Sequence, residues 1–244
     1  LKLGKVLEVI GDWRRAEQVA GEALSIAGEL DDGHWRAACE TALAEVSRKQ
    51  GRYDGAFEWL GRAARHFESL GEESGVGQVL HLVGTVAAQR GNYAKAVDNY
   101  EASLAIRERL GDKTSMAGLL SNLGIVAEYR GDYERSRGFH ERALALRTDI
   151  GDRRGIGNST NCLGMVSALQ KRYGEARDWF QRSMLLNREV GDSWMVAICH
   201  NNLGNATRGL GDYKAARGHY ADSVRAYRDF DDRWALAFLL EDVG

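Results

Sequence analysis

The chain has 244 residues, a formal net charge of −2 from 33 basic and 35 acidic side chains, no proline and 29 glycines. A near-neutral balance without a basic stripe argues against nucleic-acid binding, and no apolar run approaches the roughly 18 residues of a membrane span. Cys39, Cys162 and Cys199 are odd in number and widely spaced, which argues against a disulfide framework or a zinc site and fits reduced thiols in the cytoplasm.

Proline removes a backbone donor and clashes inside helices, so its absence predicts a nearly all-helical chain. The many glycines conflict with that only until their positions are compared. The sequence aligns with itself, without gaps, at a shift of 40 residues. Residues 1–31 carry Gly4, the turn Gly11-Asp12-Trp13 and Ala16. Residues 32–71 repeat the pattern with Ala44, Gly51-Arg52-Tyr53 and Ala56, and close on Leu70-Gly71-Glu72. In residues 72–111 the same places hold Gly84, Gly91-Asn92-Tyr93 and Ala96, then Leu110-Gly111-Asp112. Residues 112–151 have Gly124, Gly131-Asp132-Tyr133 and Ser136, then Ile150-Gly151-Asp152. Residues 152–191 have Gly164, Lys171-Arg172-Tyr173 and Ala176, then Val190-Gly191-Asp192. Residues 192–231 have Gly204, Gly211-Asp212-Tyr213 and Ala216, and end on the degenerate Phe230-Asp231-Asp232. Residues 232–244 begin a seventh unit, with Gly244 in the Gly204 column. Because the chain starts without Met and breaks off inside a unit, we expect a fragment of a longer protein that continues beyond both ends.

Each unit therefore reads as two segments of about four helical turns, each closed by Gly and a polar residue. Gly accepts the left-handed conformation that ends a helix, and the Asp or Asn beside it can cap the next one. Small residues such as Gly124, Ser136 and Ala143 let the paired helices approach closely, with Leu123 filling beside them. Lys171 departs from Gly at a helix stop, and Ala44 departs at a close-packing position. Both departures should be tolerated.

The Leu203-Gly204 pair, Gly211-Asp212-Tyr213, Ala216, Tyr220 and Ser223, with their counterparts in the other copies, resemble the tetratricopeptide repeat family in a 40-residue form. The late proline of that family is missing from every copy. The resemblance implies a single all-α domain over 1–244, an α-solenoid of about six helix-hairpin repeats wound into a right-handed superhelix. It also implies a concave groove lined by the first helix of each unit.

Groove candidates are first-helix residues outside the packing stripe: His81, Ser121, Asn161 and Asn201 in one column, Asn122 and Asn202 in the next, Ile125, Met165 and Asn205 in a third, with Glu128 and Tyr129 further along. An amide offers both donor and acceptor, so it can pair with the backbone of an extended segment whatever its sequence. The resemblance implies this use for Asn161, Asn201 and Asn122; solvation or local hydrogen bonding is the alternative. Ile125 and Met165 either meet a partner or are partly buried between first helices.

No catalytic or metal site is expected, and no cofactor. Gly75-Val76-Gly77 and Gly155-Ile156-Gly157 lack the rest of a dinucleotide motif, and no phosphate-binding Gly-Lys-Ser/Thr occurs. His140 shares a column with Tyr100, Phe180 and Tyr220, which suits a half-buried packing residue better than a base. Trp35, Trp194 and Trp234 read as inter-repeat packing. The expected function is a protein- or peptide-binding module, without nucleic acid or membrane, serving as the sensor or interaction domain of a larger regulatory protein. The array also resembles those of signalling ATPases and helix-turn-helix transcription regulators. The alternatives are a scaffold that self-associates end to end and a small-molecule-sensing domain of a transcription regulator.

Overall fold

A computed structural model of the chain describes residue 4 and residues 11–229. The Phe230-Asp231-Asp232 stop, Trp234 and the seventh unit lie outside the described residues. Within them the chain forms eleven helices and no strand: α1 (Trp13–Glu29), α2 (Gly33–Lys49), α3 (Tyr53–Ser69), α4 (Glu73–Gln89), α5 (Tyr93–Leu110), α6 (Lys113–Tyr129), α7 (Tyr133–Asp149), α8 (Arg153–Leu169), α9 (Tyr173–Glu189), α10 (Ser193–Gly209) and α11 (Tyr213–Asp229). The even-numbered helices are the first helices of the sequence units and the odd-numbered ones the second. The fold is an all-α array of helix hairpins, as the 40-residue period requires.

Every helix boundary has a local cause. Gly11, Gly51, Gly71, Gly91, Gly111, Gly131, Gly151, Gly191 and Gly211 all have positive φ, the left-handed region that costs a residue with a Cβ. Lys171 (φ 60°) and Asp31 (φ 51°) adopt the same conformation without being glycine. After the stop, Asp12, Asp32, Asn92, Asp112, Asp132, Asp152, Asp192 and Asp212 each accept the backbone N–H three residues on. Arg52, Glu72 and Arg172 stand in the same place and make no such bond.

The chain divides into two compact units, Leu1–Ser115 and Met116–Gly244. In the first, α1 to α4 pack in succession, and Leu60, Phe67, Val79 and Val86 form a core with Ala44 and Ala56. In the second, α7 to α11 pack in succession, α8 also meets α10, and Phe180, Leu203, Ala176 and Ala206 form a core. The contact between paired helices is set by a hydrogen atom. A Cβ on Gly84 would lie 2.7 Å from the Tyr100 ring, and one on Gly124, Gly164 or Gly204 would lie 2.5 Å from His140, Phe180 or Tyr220. Ala44 occupies this column where the facing residue is Leu60, and both are fully buried in one core. An aliphatic side chain leaves room for the methyl that a ring would not.

Arginines tie neighbouring helices through backbone, hydroxyl and carboxylate groups. In the first compact unit, Arg107 donates to the Ser74 hydroxyl and to the Ser74 carbonyl, both at 3.0 Å. In the second, Arg147 donates to the Gly155 carbonyl at 3.1 Å and to Ser159 Oγ at 2.6 Å, and Arg137 donates to Glu175 at 2.7 Å and to Ser167 Oγ at 3.0 Å. Two sequence expectations need correction. Trp35 and Trp194 are 51% and 48% exposed, so only about half of each side chain is covered, although Trp35 lines a small cavity with Ala23, Ile26 and Leu30 of the preceding unit. His140 is fully buried, not half-buried, since it lies against the bare backbone of Gly124.

Candidate functional site

All but one of the candidate residues fall in the second compact unit, on α6, α8 and α10. His81 belongs to the first, on α4, where its ring meets the Tyr100 ring edge-on at 5.8 Å and burial holds its pKa below the ordinary histidine value. Nearby, a cavity of about 490 Å³ opens on residues that include Ala38, Ala42, Glu45, Phe67, Glu72 and Gln78.

Ile125 on α6 and Met165 on α8 occupy equivalent places in their units and are 40% and 41% exposed; Tyr129, one turn on from Ile125, is 70% exposed. Leu169, the counterpart of Tyr129, is also exposed. The first-helix face of this unit therefore presents apolar side chains in two successive repeats. On α10 the Ile125–Met165 column holds the polar Asn205 and the Tyr129–Leu169 column holds Gly209. Ile125 and Met165 are each partly covered and partly open, so partial burial and a free contact surface coexist at both places.

The asparagines do not share one role. Asn161 is only 6% exposed. Its Oδ1 accepts from Asn202 Nδ2 at 2.9 Å, and its Nδ2 points to Met165 Sδ at 3.6 Å. The column that should have met a partner thus ties α8 to α10 at this position, because Asn202 stands across from it. Asn201 is half-buried, and its Oδ1 is buried without a hydrogen-bond partner. The Asn205 Oδ1 accepts from the Tyr220 hydroxyl at 2.7 Å. Ser121 donates to the Ala117 carbonyl within its own helix, and Asn122 is half-buried beside it.

Glu128 is turned inward. Its Oε1 lies 2.9 Å from His140 Nε2 and accepts from the Ser136 hydroxyl at 3.0 Å. Serine, histidine and carboxylate are together, but both other groups bind the carboxylate and the histidine is sealed in the helix interface, so no hydroxyl is activated toward solvent. Cys162 is likewise quiet: burial pushes its thiol up to about 11, which leaves little thiolate at neutral pH. Cys39 and Cys199 are also raised by burial, and all three thiols are free. No described helix is long and apolar enough to cross a membrane.

Sequence reasoning missed Asn202 as a tie and Tyr220 as the support of Asn205. The second had a signal: Tyr100 and Thr85 stand at the same offset in an earlier unit, and the Tyr100 hydroxyl donates to Thr85 Oγ1 at 3.2 Å.

The solved structure of BtubC from P. vanneervenii superposes with a TM-score of 0.80 at 18% identity, covering 90% of this chain and 92% of that one. A Rap protein complexed with competence and sporulation factor gives 0.72 at 14% identity, over 98% of this chain and 71% of that one. A signal transduction ATPase with numerous domains and a tetratricopeptide repeat sensor, from Pyrococcus horikoshii, gives 0.77 at 14% identity; the match covers 99% of this chain and 40% of that one. No curated protein matches by sequence. The tetratricopeptide repeat model matches residues 75–149 and again 155–229, more than half of the sequence. On that match, and on the helix-hairpin array it describes, the chain belongs to the tetratricopeptide repeat family.

Proposed function

We propose that this chain is a protein- or peptide-binding module, and that the first-helix face of its second compact unit receives an extended segment. The exposure of Ile125 and Met165 in equivalent places of successive repeats carries the reading. Covering the two-fifths of either side chain that is still exposed contributes about 0.6–1.2 kcal/mol, roughly a three- to eightfold change in affinity. Asn201, Asn202 and Asn205 follow on α10 with donors and acceptors for a backbone, each worth about 0.5–1.5 kcal/mol net. The partner of the Rap protein in its complex supports a peptide ligand, and the repeat sensor of the signalling ATPase supports a regulatory setting. Three free thiols fit a reducing, cytoplasmic setting.

The test is selection of binders from a random dodecapeptide library displayed on phage, followed by titration of the enriched peptide. Ile125→Asp and Met165→Asp should each weaken binding about tenfold or more with helical content unchanged. Affinity equal to that of the parent chain in both variants would refute the assignment of this face. A second reading, a small-molecule sensor, is favoured by the cavity of about 490 Å³ in the first compact unit, a size suited to a small organic ligand. A metabolite that raises the melting temperature without any peptide, and loses the effect on Ala42→Phe, would support it.

A further inference from the structure

We infer that Tyr220, a residue of the second-helix layer behind the binding face, sets the hydrogen-bonding polarity of that face by fixing the side-chain amide of Asn205. The inference rests on the peptide-binding reading above and adds which group each asparagine turns outward.

An asparagine amide is nearly symmetrical in shape, and a free one presents oxygen or nitrogen by a half-turn. On α10 that choice is made by neighbours. The Tyr220 hydroxyl donates to Asn205 Oδ1 at 2.7 Å, a short O–H···O distance. The oxygen is thereby held against the helix pair, and the Nδ2 donor turns outward. Three residues earlier the opposite choice is made. Asn202 spends its Nδ2 on Asn161 Oδ1 at 2.9 Å, so its oxygen is the group left for a partner. Residues three apart on a helix are surface neighbours. The face therefore offers an outward acceptor at Asn202 and an outward donor at Asn205, the complement of the N–H and C=O of an extended backbone. Without the two buried partners each amide would average over both orientations.

The arrangement recurs in part along the repeats. Fifteen residues separate each third-column residue from the second-helix residue behind it, and the two match in chemistry at Thr85, Met165 and Asn205, though not at Glu45, which has Leu60 behind it. Thr85 has the Tyr100 hydroxyl, at 3.2 Å, and Asn205 has that of Tyr220. Met165, which is apolar, has Phe180. Behind Ile125 stands His140, whose polar atom is taken up by Glu128 instead. The ring column thus does two things: it packs on the Gly column, and it either supplies a hydroxyl to the binding face or withholds one. Phe180 in the same column shows that the packing role needs no hydroxyl, so Tyr220→Phe removes the lock and leaves the ring.

The experiment is a double-mutant cycle read by titration of the phage-selected dodecapeptide against the whole chain, with Tyr220→Phe, Asn205→Ala and the double variant. Circular dichroism and the denaturation midpoint serve as fold controls. Each single change should weaken binding about fivefold, the scale of one hydrogen bond. The double variant should be no weaker than Asn205→Ala alone, because on this assignment the hydroxyl influences the bound peptide through the amide. A purely structural role for Tyr220 predicts additive losses, and that result overturns the inference, as does full affinity in Tyr220→Phe. A peptide weakened by Ile125→Asp but indifferent to Asn205→Ala leaves the binding face standing and overturns this assignment. A peptide indifferent to every one of these changes refutes the binding face itself.

Discussion

At the scale of single residues, the decisive side chains are the ones that are missing. Gly164 brings its backbone so close to Phe180 that an added Cβ would sit 2.5 Å from the ring. Phe180 is buried and cannot swing into solvent, so the helix pair must part instead. Gly164→Ala should therefore cost about 1–3 kcal/mol, the range for overpacking, despite the better helix propensity of alanine. The denaturant midpoint measures it. Gly118→Ala is the control, since its Cβ would meet nothing within 4 Å, and it should stabilise slightly. The Gly column was legible from the 40-residue shift, and so was the tolerance of Ala44. Its reason was not, because it lies in Leu60, a residue of the facing helix. The role of Asn161 misled for a similar reason. Column membership gives the face of the helix, whereas burial depends on what stands across from it, here Asn202, 41 residues away.

Individual helices are bounded by chemistry that a sequence states directly, so their ends could be read and tested. Lys171 stands at a stop where most equivalents are glycine, and its φ of 60° is left-handed. Lys171→Gly should gain about 1 kcal/mol by relieving that strain, less the entropy of a freer unfolded chain. A higher denaturation midpoint with unchanged helicity is the expected reading. Pairs of helices carry a second, less visible property. His200 Nδ1 lies 3.5 Å from His219 Nδ1 and 3.9 Å from Asp222, and Arg188 approaches the other ring nitrogen at 3.3 Å. Burial lowers the pKa of both histidines; Asp222 opposes the shift, while His219 and Arg188 add to it at His200. Both imidazoles are then neutral in the fold at a pH where the unfolded chain takes up protons. Their contribution to stability is complete above the ordinary histidine value of about 6.5 and is lost as pH falls through the depressed folded values. Denaturation midpoints should drop between pH 7.5 and pH 5, and His200→Gln should flatten that slope. An unchanged slope would move the acid sensitivity elsewhere.

For the whole molecule, the repeat architecture decides how far any local change is felt. Among the described residues, helices chiefly meet their immediate neighbours in sequence, with α2 to α4 and α8 to α10 as the next-nearest contacts. Stability in such an array is close to a sum of unit and nearest-neighbour terms rather than one cooperative total. The same change that is severe at its own interface should therefore be nearly silent a few units away. Gly164→Ala gives the clean case, since Phe180 anchors the core of α9 and α10. Native-state hydrogen exchange should show faster opening of α8, α9 and α10, while amides in α2 and α3 keep the protection of the parent chain. A uniform loss across all helices would mean that the array unfolds as one unit, and stability would then have to be credited to the chain as a whole. The local outcome bears on binding as well. A module that can loosen one helix pair without losing the rest can adjust the spacing of Met165 and Asn205, on α8 and α10, to the segment it receives, while Ile125 on α6 stays fixed by the Gly124–His140 contact.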